Sequence, residues 1–285
     1  MAKKPEKKPD IGTTGHEWDG IEELNNPLPR WWLWTFYATI IWAFFYVIAY
    51  PAWPLINKAT PGVLGYSSRA DVAADIAATN EANAPLEARI VSLELDEIAG
   101  DAEVGHFARA GGAAVFRTVC AQCHGAGAGG APGFPNLLDD DWLWGGDLNA
   151  IYLTVKHGIR DEADPDTRFS QMPAFGEFLS RDEIRALTQH VLHIAGQEHD
   201  AALAVTGAGL YAENCASCHG DAGMGDREQG APNLTDAIWL WGNTPEAITT
   251  SITNARFGVM PSWQTRLTEA QIRQVTVFVH QLGGG

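Results

Sequence analysis

The sequence predicts an all-α chain in which one N-terminal membrane-spanning helix precedes two tandem small helical domains. Three observations carry this. The stretch Trp31–Tyr50 reads WWLWTFYATIIWAFFYVIAY without a charge. Beyond it the same short motifs occur twice, those containing cysteine offset by 95 residues, from Cys120 to Cys215. Each copy ends in a helix-opening box, Ser180-Arg181-Asp182-Glu183 or Thr268-Glu269-Ala270-Gln271, ahead of an apolar stripe at helical spacing.

Twenty helical residues span about 30 Å, the thickness of a bilayer's hydrocarbon core. Trp31, Trp32 and Trp34 at one end and Tyr50 and Trp53 at the other suit the two interfaces, and Pro51 and Pro54 stop the helix. A secretory signal would have a shorter apolar run and a small-residue cleavage site. Lys3, Lys4, Lys7, Lys8 and Arg30 precede the span, whereas no charge separates Arg30 from Lys58. The positive-inside rule therefore predicts a cytoplasmic N-terminus, with everything after Tyr50 across the membrane. The expected division is a cytoplasmic strap at 1–30, an anchor at 31–53, a helical linker at 54–102, and domains at 103–199 and 200–285. In the linker, helices are expected over Ser68–Glu81 and Leu86–Ile98, broken at Pro85.

The chain's four cysteines lie in Cys120-Ala121-Gln122-Cys123-His124 and Cys215-Ala216-Ser217-Cys218-His219. C-x-x-C-H is the signature of covalent c-type haem attachment. Two thiols at this spacing reach two vinyl groups on one porphyrin edge, and the adjacent histidine supplies a proximal nitrogen to iron. Zinc chelation by both pairs would need them far closer in sequence. A dithiol redox pair gives no reason for the histidine in both copies. Two covalently bound haem c groups are expected, held by Cys120, Cys123 and His124 and by Cys215, Cys218 and His219.

The sixth ligands are expected from Met172, 48 residues after His124, and Met260, 41 residues after His219. Pro173 and Pro261 follow them and stiffen each loop. Met224, five residues past His219, reads as a loop residue. Spacing leaves open whether each methionine serves its own half or the other.

The repeat extends further. Phe134-Pro135-Asn136-Leu137 answers Ala231-Pro232-Asn233-Leu234, and Trp142-Leu143-Trp144-Gly145 answers Trp239-Leu240-Trp241-Gly242. The tryptophans read as burial against a porphyrin edge, with docking or electron transfer as the rival reading. The halves diverge at Asp161–Phe169, which reads equally as a partner-facing surface loop or an inert insertion. His16, His106, His157, His190, His193 and His280 carry no local motif, and no catalytic residue is expected.

After Tyr50 there are 14 basic and 29 acidic residues, within a formal net charge of −16 for the whole chain. Such a body would steer a basic redox partner, or the acidity merely keeps it soluble. No basic, aromatic surface is arranged for nucleic acid.

Helix, C-x-x-C-H, proline loop, Met-Pro loop and helix, run twice over roughly 103–285, resemble two class I cytochrome c domains. That resemblance implies that the carbonyls of Pro135 and Pro232 accept from the ligating histidines. The segment His16-Glu17-Trp18-Asp19-Gly20-Ile21-Glu22-Glu23-Leu24-Asn25-Asn26-Pro27-Leu28-Pro29-Arg30-Trp31-Trp32 resembles the head of the dihaem subunit of cbb3-type cytochrome c oxidases, as does Gly65-Tyr66-Ser67-Ser68-Arg69. Some members of that family carry two anchors; this chain shows one. The resemblance implies a non-catalytic subunit of the bacterial inner membrane, with its haem domains in the periplasm. Electrons would pass from a cytochrome c donor through the two haems to a monohaem c subunit and a catalytic haem b–copper subunit. A free-standing membrane-anchored dihaem carrier is the alternative. A dihaem peroxidase would need an open distal site, which two Met-Pro loops disfavour.

Overall fold

A computed structural model describes residues 11–283, so the N-terminal lysines lie outside the described residues. The described residues form two compact units, divided between Asn80 and Glu81.

In the first unit, strands β1 (Thr13–Trp18) and β2 (Ile21–Leu24) pair antiparallel. Asp19 and Gly20 turn between them with φ of 49° and 84°, the positive values a tight two-residue hairpin needs and an Asp-Gly pair tolerates. Apart from this short hairpin the regular structure is helical, as the sequence predicts. Helix α1 (Arg30–Ala49) follows, its side chains all at least partly exposed. It ends where Tyr50 turns extended (φ −113°, ψ 161°), because a residue before proline is excluded from helical geometry. Apolar side chains on every face, none of them buried, fit a helix solvated by lipid or by other membrane helices.

Helix α2 (Ser68–Ser92) runs through Pro85 without the expected break. Proline removes one amide bond, but Leu86 and Ile90 on the following turn pack into a core that holds the helix on course. The remaining helices are α3 (Leu95–Gly100), α4 (Ala102–Val115), α5 (Ala121–His124), α6 (Leu148–His157), α7 (Arg181–Ile194), α8 (Ala201–Asn214), α9 (Ala216–His219), α10 (Pro245–Asn254) and α11 (Glu269–His280). Both expected capping boxes form, at Ser180/Glu183 and at Thr268/Gln271.

The packing divides the chain differently from the sequence repeat. Helix α11 lies against α4 and α6, whereas α7 lies against α8 and α10. The last helix of each half therefore covers the first helix of the other. A glycine allows each close crossing: a Cβ on Gly112 of α4 would overlap the Gln274 carbonyl of α11, and one on Gly207 of α8 would overlap the Ala186 carbonyl of α7. Helices thus pair across the expected divisions 103–199 and 200–285. The short link 195–200 makes α7 and α8 antiparallel neighbours, which leaves α4 to be covered by α11. Ile90, Leu95 and Ile98 join the core of α4 and α11, so the end of the expected linker belongs to the first packing module.

Candidate haem sites

In each module the first cysteine precedes a short helix, α5 or α9, that carries the rest of the C-x-x-C-H turn; α9 follows α8 directly, and a π-helical segment, Phe116–Cys120, joins α4 to α5. His124 Nδ1 is 3.0 Å from the Pro135 carbonyl, and His219 Nδ1 is 3.0 Å from the Pro232 carbonyl. A carbonyl only accepts, so each Nδ1 carries hydrogen and each Nε2 presents a lone pair. Burial pushes both imidazoles below the usual histidine range, against the opposing effect of the carbonyl bond. A neutral ring of fixed tautomer is what a metal needs from histidine.

The four thiols are free. Burial, then the neighbouring cysteine, pushes Cys120 up to about 11, and Cys215 likewise up to about 11 beside Cys218. Such thiols stay protonated near neutrality and do not resemble the activated thiolates of redox pairs.

Each methionine packs in the core that holds the C-x-x-C-H turn of the other sequence repeat. Met260 packs with Cys120, Ala121, Leu137 and Trp142 against the core of Val115, Phe116, Ile151 and Val155. Met172 packs with Cys215, Ala216, Leu234 and Trp239 against the core of Ile184, Leu187, Tyr211 and Ile248. Backbone geometry places the Met260 loop: Ile159 N–H donates to the Met260 carbonyl at 2.8 Å and Met260 N–H to the Ile159 carbonyl at 3.0 Å. A Cβ on Gly158 would overlap that carbonyl. Each module thus offers two thiols and a neutral histidine on one turn, with a thioether packed on the same apolar core, a donor set that suits haem c. Met224 is exposed and holds no place in either core.

Two residues that carried no sequence signal hold these loops. Arg160 donates from Nε to the Gly258 carbonyl and from Nη1 to the Ser170 carbonyl, both at 2.7 Å. One guanidinium therefore ties the backbone two residues before Met260 to that two residues before Met172. Asp164 is the second. Its Oδ2 accepts from Gln264 Nε2 at 2.6 Å, and its Oδ1 accepts from Asp166 N–H at 2.9 Å and lies 3.2 Å from His157 Nδ1. The polar stretch Asp161–Phe169 is thus anchored at Asp164, which is buried and latches the Met260 segment, while Glu162, Ala163, Pro165, Asp166 and Phe169 stay exposed. Asp161 adds a bond, its Oδ2 accepting from Ser262 N–H at 2.7 Å.

The chain is similar to several known proteins. The family description "N-terminal domain of cytochrome oxidase-cbb3, FixP" matches residues 11–57. "Cytochrome C oxidase, cbb3-type, subunit III" matches residues 108–191 and again 202–279. A "Cbb3-type cytochrome c oxidase subunit CcoP" of Cereibacter sphaeroides is 58% identical over the whole of both chains. One from Rhodobacter capsulatus is 56% identical, also over the whole of both. A "Cbb3-type cytochrome c oxidase subunit FixP" of Rhizobium meliloti is 50% identical over 96% of this chain and 95% of its own.

Proposed function

Because the chain belongs to the CcoP/FixP family of cbb3-type cytochrome c oxidase subunits, we propose that it carries two haem c groups and passes electrons from a cytochrome c donor towards the oxidase's catalytic subunits. Its role in the oxidase is electron transfer. Covalently bound haem c supplies one-electron redox chemistry at an iron whose axial positions can both be filled by protein. The single observation that supports the reading best is the convergence, in each module, of a C-x-x-C-H turn, a carbonyl-fixed histidine and one partly buried methionine.

Cys120 and Cys123 would anchor one haem, with His124 and Met260 as axial ligands. Cys215 and Cys218 would anchor the other, with His219 and Met172. Pro135 and Pro232 orient the imidazoles through their carbonyls. A thioether opposite histidine raises the potential, and cores that hold both ligands limit rearrangement when the iron changes charge. A haem held by both a histidine and a methionine would carry electrons rather than reduce oxygen, so reduction to water would fall to another subunit, the haem b–copper one, reached through a monohaem c subunit.

Helix α1 would be the single membrane anchor, with 1–30 as a cytoplasmic strap and the haem modules in the periplasm. Residues 54–102 would be the periplasmic linker and 103–199 and 200–285 the two cytochrome c domains, with each haem site drawing on both repeats. The acidic body would receive a basic donor.

The test is to isolate the chain from its native membrane in mild detergent, quantify haem by type and measure oxygen uptake. Two c-type haems per chain, co-purifying b-type haem and cyanide-sensitive oxygen uptake are expected. Two c-type haems with neither b-type haem nor uptake, unchanged under milder extraction, would make it a free-standing carrier.

A further inference from the structure

We infer that Trp144 and Trp241 are reciprocal positioning residues, each indole setting the histidine loop of the haem site in the other module. The inference rests on the two-haem reading above and adds a role that the repeat alone does not reveal.

The paired motifs Trp142-Leu143-Trp144-Gly145 and Trp239-Leu240-Trp241-Gly242 divide their tryptophans between two tasks. Trp142 packs on the core beside Cys120, and Trp239 on the core beside Cys215, each within its own module. The second tryptophan of each pair crosses over. A Cβ built on Gly230 would overlap the Trp144 ring, and one built on Gly133 would overlap the Trp241 ring. Both glycines have left-handed φ, +61° and +86°, so the backbone presents a bare α-carbon to each indole. In the second contact Gly133 N–H also donates to the Leu240 carbonyl at 2.8 Å.

These glycines stand two residues before the prolines whose carbonyls fix the ligating histidines. The path from Trp144 therefore runs through Gly230 and Ala231 to the Pro232 carbonyl and His219 Nδ1. From Trp241 it runs through Gly133 and Phe134 to Pro135 and His124. Each indole is itself held. The Arg168 guanidinium lies 5.7 Å from the Trp144 ring centre and donates to the Trp144 carbonyl at 3.1 Å. The Arg256 guanidinium lies 5.6 Å from the Trp241 ring centre and donates to the Trp241 carbonyl at 3.4 Å. A cation over an indole face is attracted to the ring, which fixes the surface on which the glycine loop rests.

The bond from a ligating histidine to its outer partner tunes ligand basicity and hence the metal. A loop that shifts against its indole moves the proline carbonyl and alters that bond. The effect of each tryptophan accordingly falls on the haem of the other module and spares its own.

The experiment uses the full-length, haem-loaded protein in detergent. A Cys120→Ala background leaves the haem beside His124 with one thioether, moving its reduced α-band to longer wavelength, so the two haems titrate as separate optical signals. Trp144→Leu is expected to shift the midpoint of the haem beside His219 and leave that beside His124 in place. Gly230→Ala, which presses the same contact from the opposite side, is expected to move the same haem. Trp241→Leu, read in a Cys215→Ala background, is expected to shift the haem beside His124 alone. A shift confined to the tryptophan's own module, or no shift at either haem, overturns the inference. Should Trp144→Leu impair haem incorporation, Trp144→Phe keeps an apolar contact and is read in the same way. Fewer than two haems in the unsubstituted chain would instead overturn the two-haem reading, and the inference with it.

Discussion

Ile159 and Met260 exchange hydrogen bonds in both directions, N–H to carbonyl at 2.8 and 3.0 Å, although they belong to different copies of the repeat. Through this bridge the end of α6 holds the methionine loop that completes its own module. Its neighbour Arg160 extends the arrangement to the other methionine loop through the Ser170 carbonyl. The two haem sites are consequently built together.

Exchange of the methionines fixes which haem each substitution changes. Met260→His is expected to lower the potential of the haem at Cys120 and Cys123, and Met172→His that of the haem at Cys215 and Cys218. The change should take a sizeable part of the roughly 0.8 V range that axial ligands command. Optical redox titration in single-thioether backgrounds assigns each shift; a shift at the haem of the methionine's own repeat would refute the exchange.

A chain ending at residue 199 keeps one complete sequence repeat but loses α11, which buries Ile272, Val275, Val277 and Val279. Each such side chain stabilises by roughly 1.5–3 kcal/mol, comparable in sum with the whole stability of a small domain. The fragment is expected to lack a cooperative thermal transition by circular dichroism. Cooperative unfolding with six-coordinate haem would show that a repeat can close its own core.

Arg160→Leu removes two bonds from a guanidinium to buried loops, at about 1.5–3 kcal/mol each for bonds to a charged group. Because one side chain serves both loops, weakened methionine ligation is expected at both haems in parallel. Resonance Raman spectra should show high-spin contributions from both; loss at one alone would limit Arg160 to a single loop.

Asp164 gives a signature in acid. Burial pushes its carboxyl up, but bonds from Asp166 N–H and the side chains of Ser262, His157 and Gln264 overcome this and hold it at about 2, below the usual 3.8. A depressed folded value means that the unfolded state binds the proton more readily. Its contribution is therefore present above about pH 4 and lost as the pH falls through about 2. Asp164→Asn is expected to flatten the loss of stability between those values in denaturant titrations. An unchanged slope would show that the latch is not charge-dependent.

Much of this was legible in the sequence because it is local. C-x-x-C-H fixes two thiols and a histidine within one helical turn, the capping boxes act within four residues, and an uncharged run of twenty residues needs no partner to declare a membrane helix. Pro135 and Pro232 could be named from the resemblance because their distance from the histidines is short. The local rules misjudged Pro85, where burial of Ile90 outweighs one missing amide bond. They also gave no weight to Asp164, whose partner Gln264 lies in the other repeat.

What the sequence by itself determined is the inventory: an anchor, two C-x-x-C-H turns, two methionines and the helices that carry them. Only the tertiary structure decided the pairing of helices and methionines. The repeats are similar enough that either last helix could cover either first helix by pattern alone. The short link 195–200 and the close glycine crossings at Gly112 and Gly207 set α7 on α8 and α11 on α4. Pairing across such distances is a property of chain connectivity and packing, which no local motif encodes.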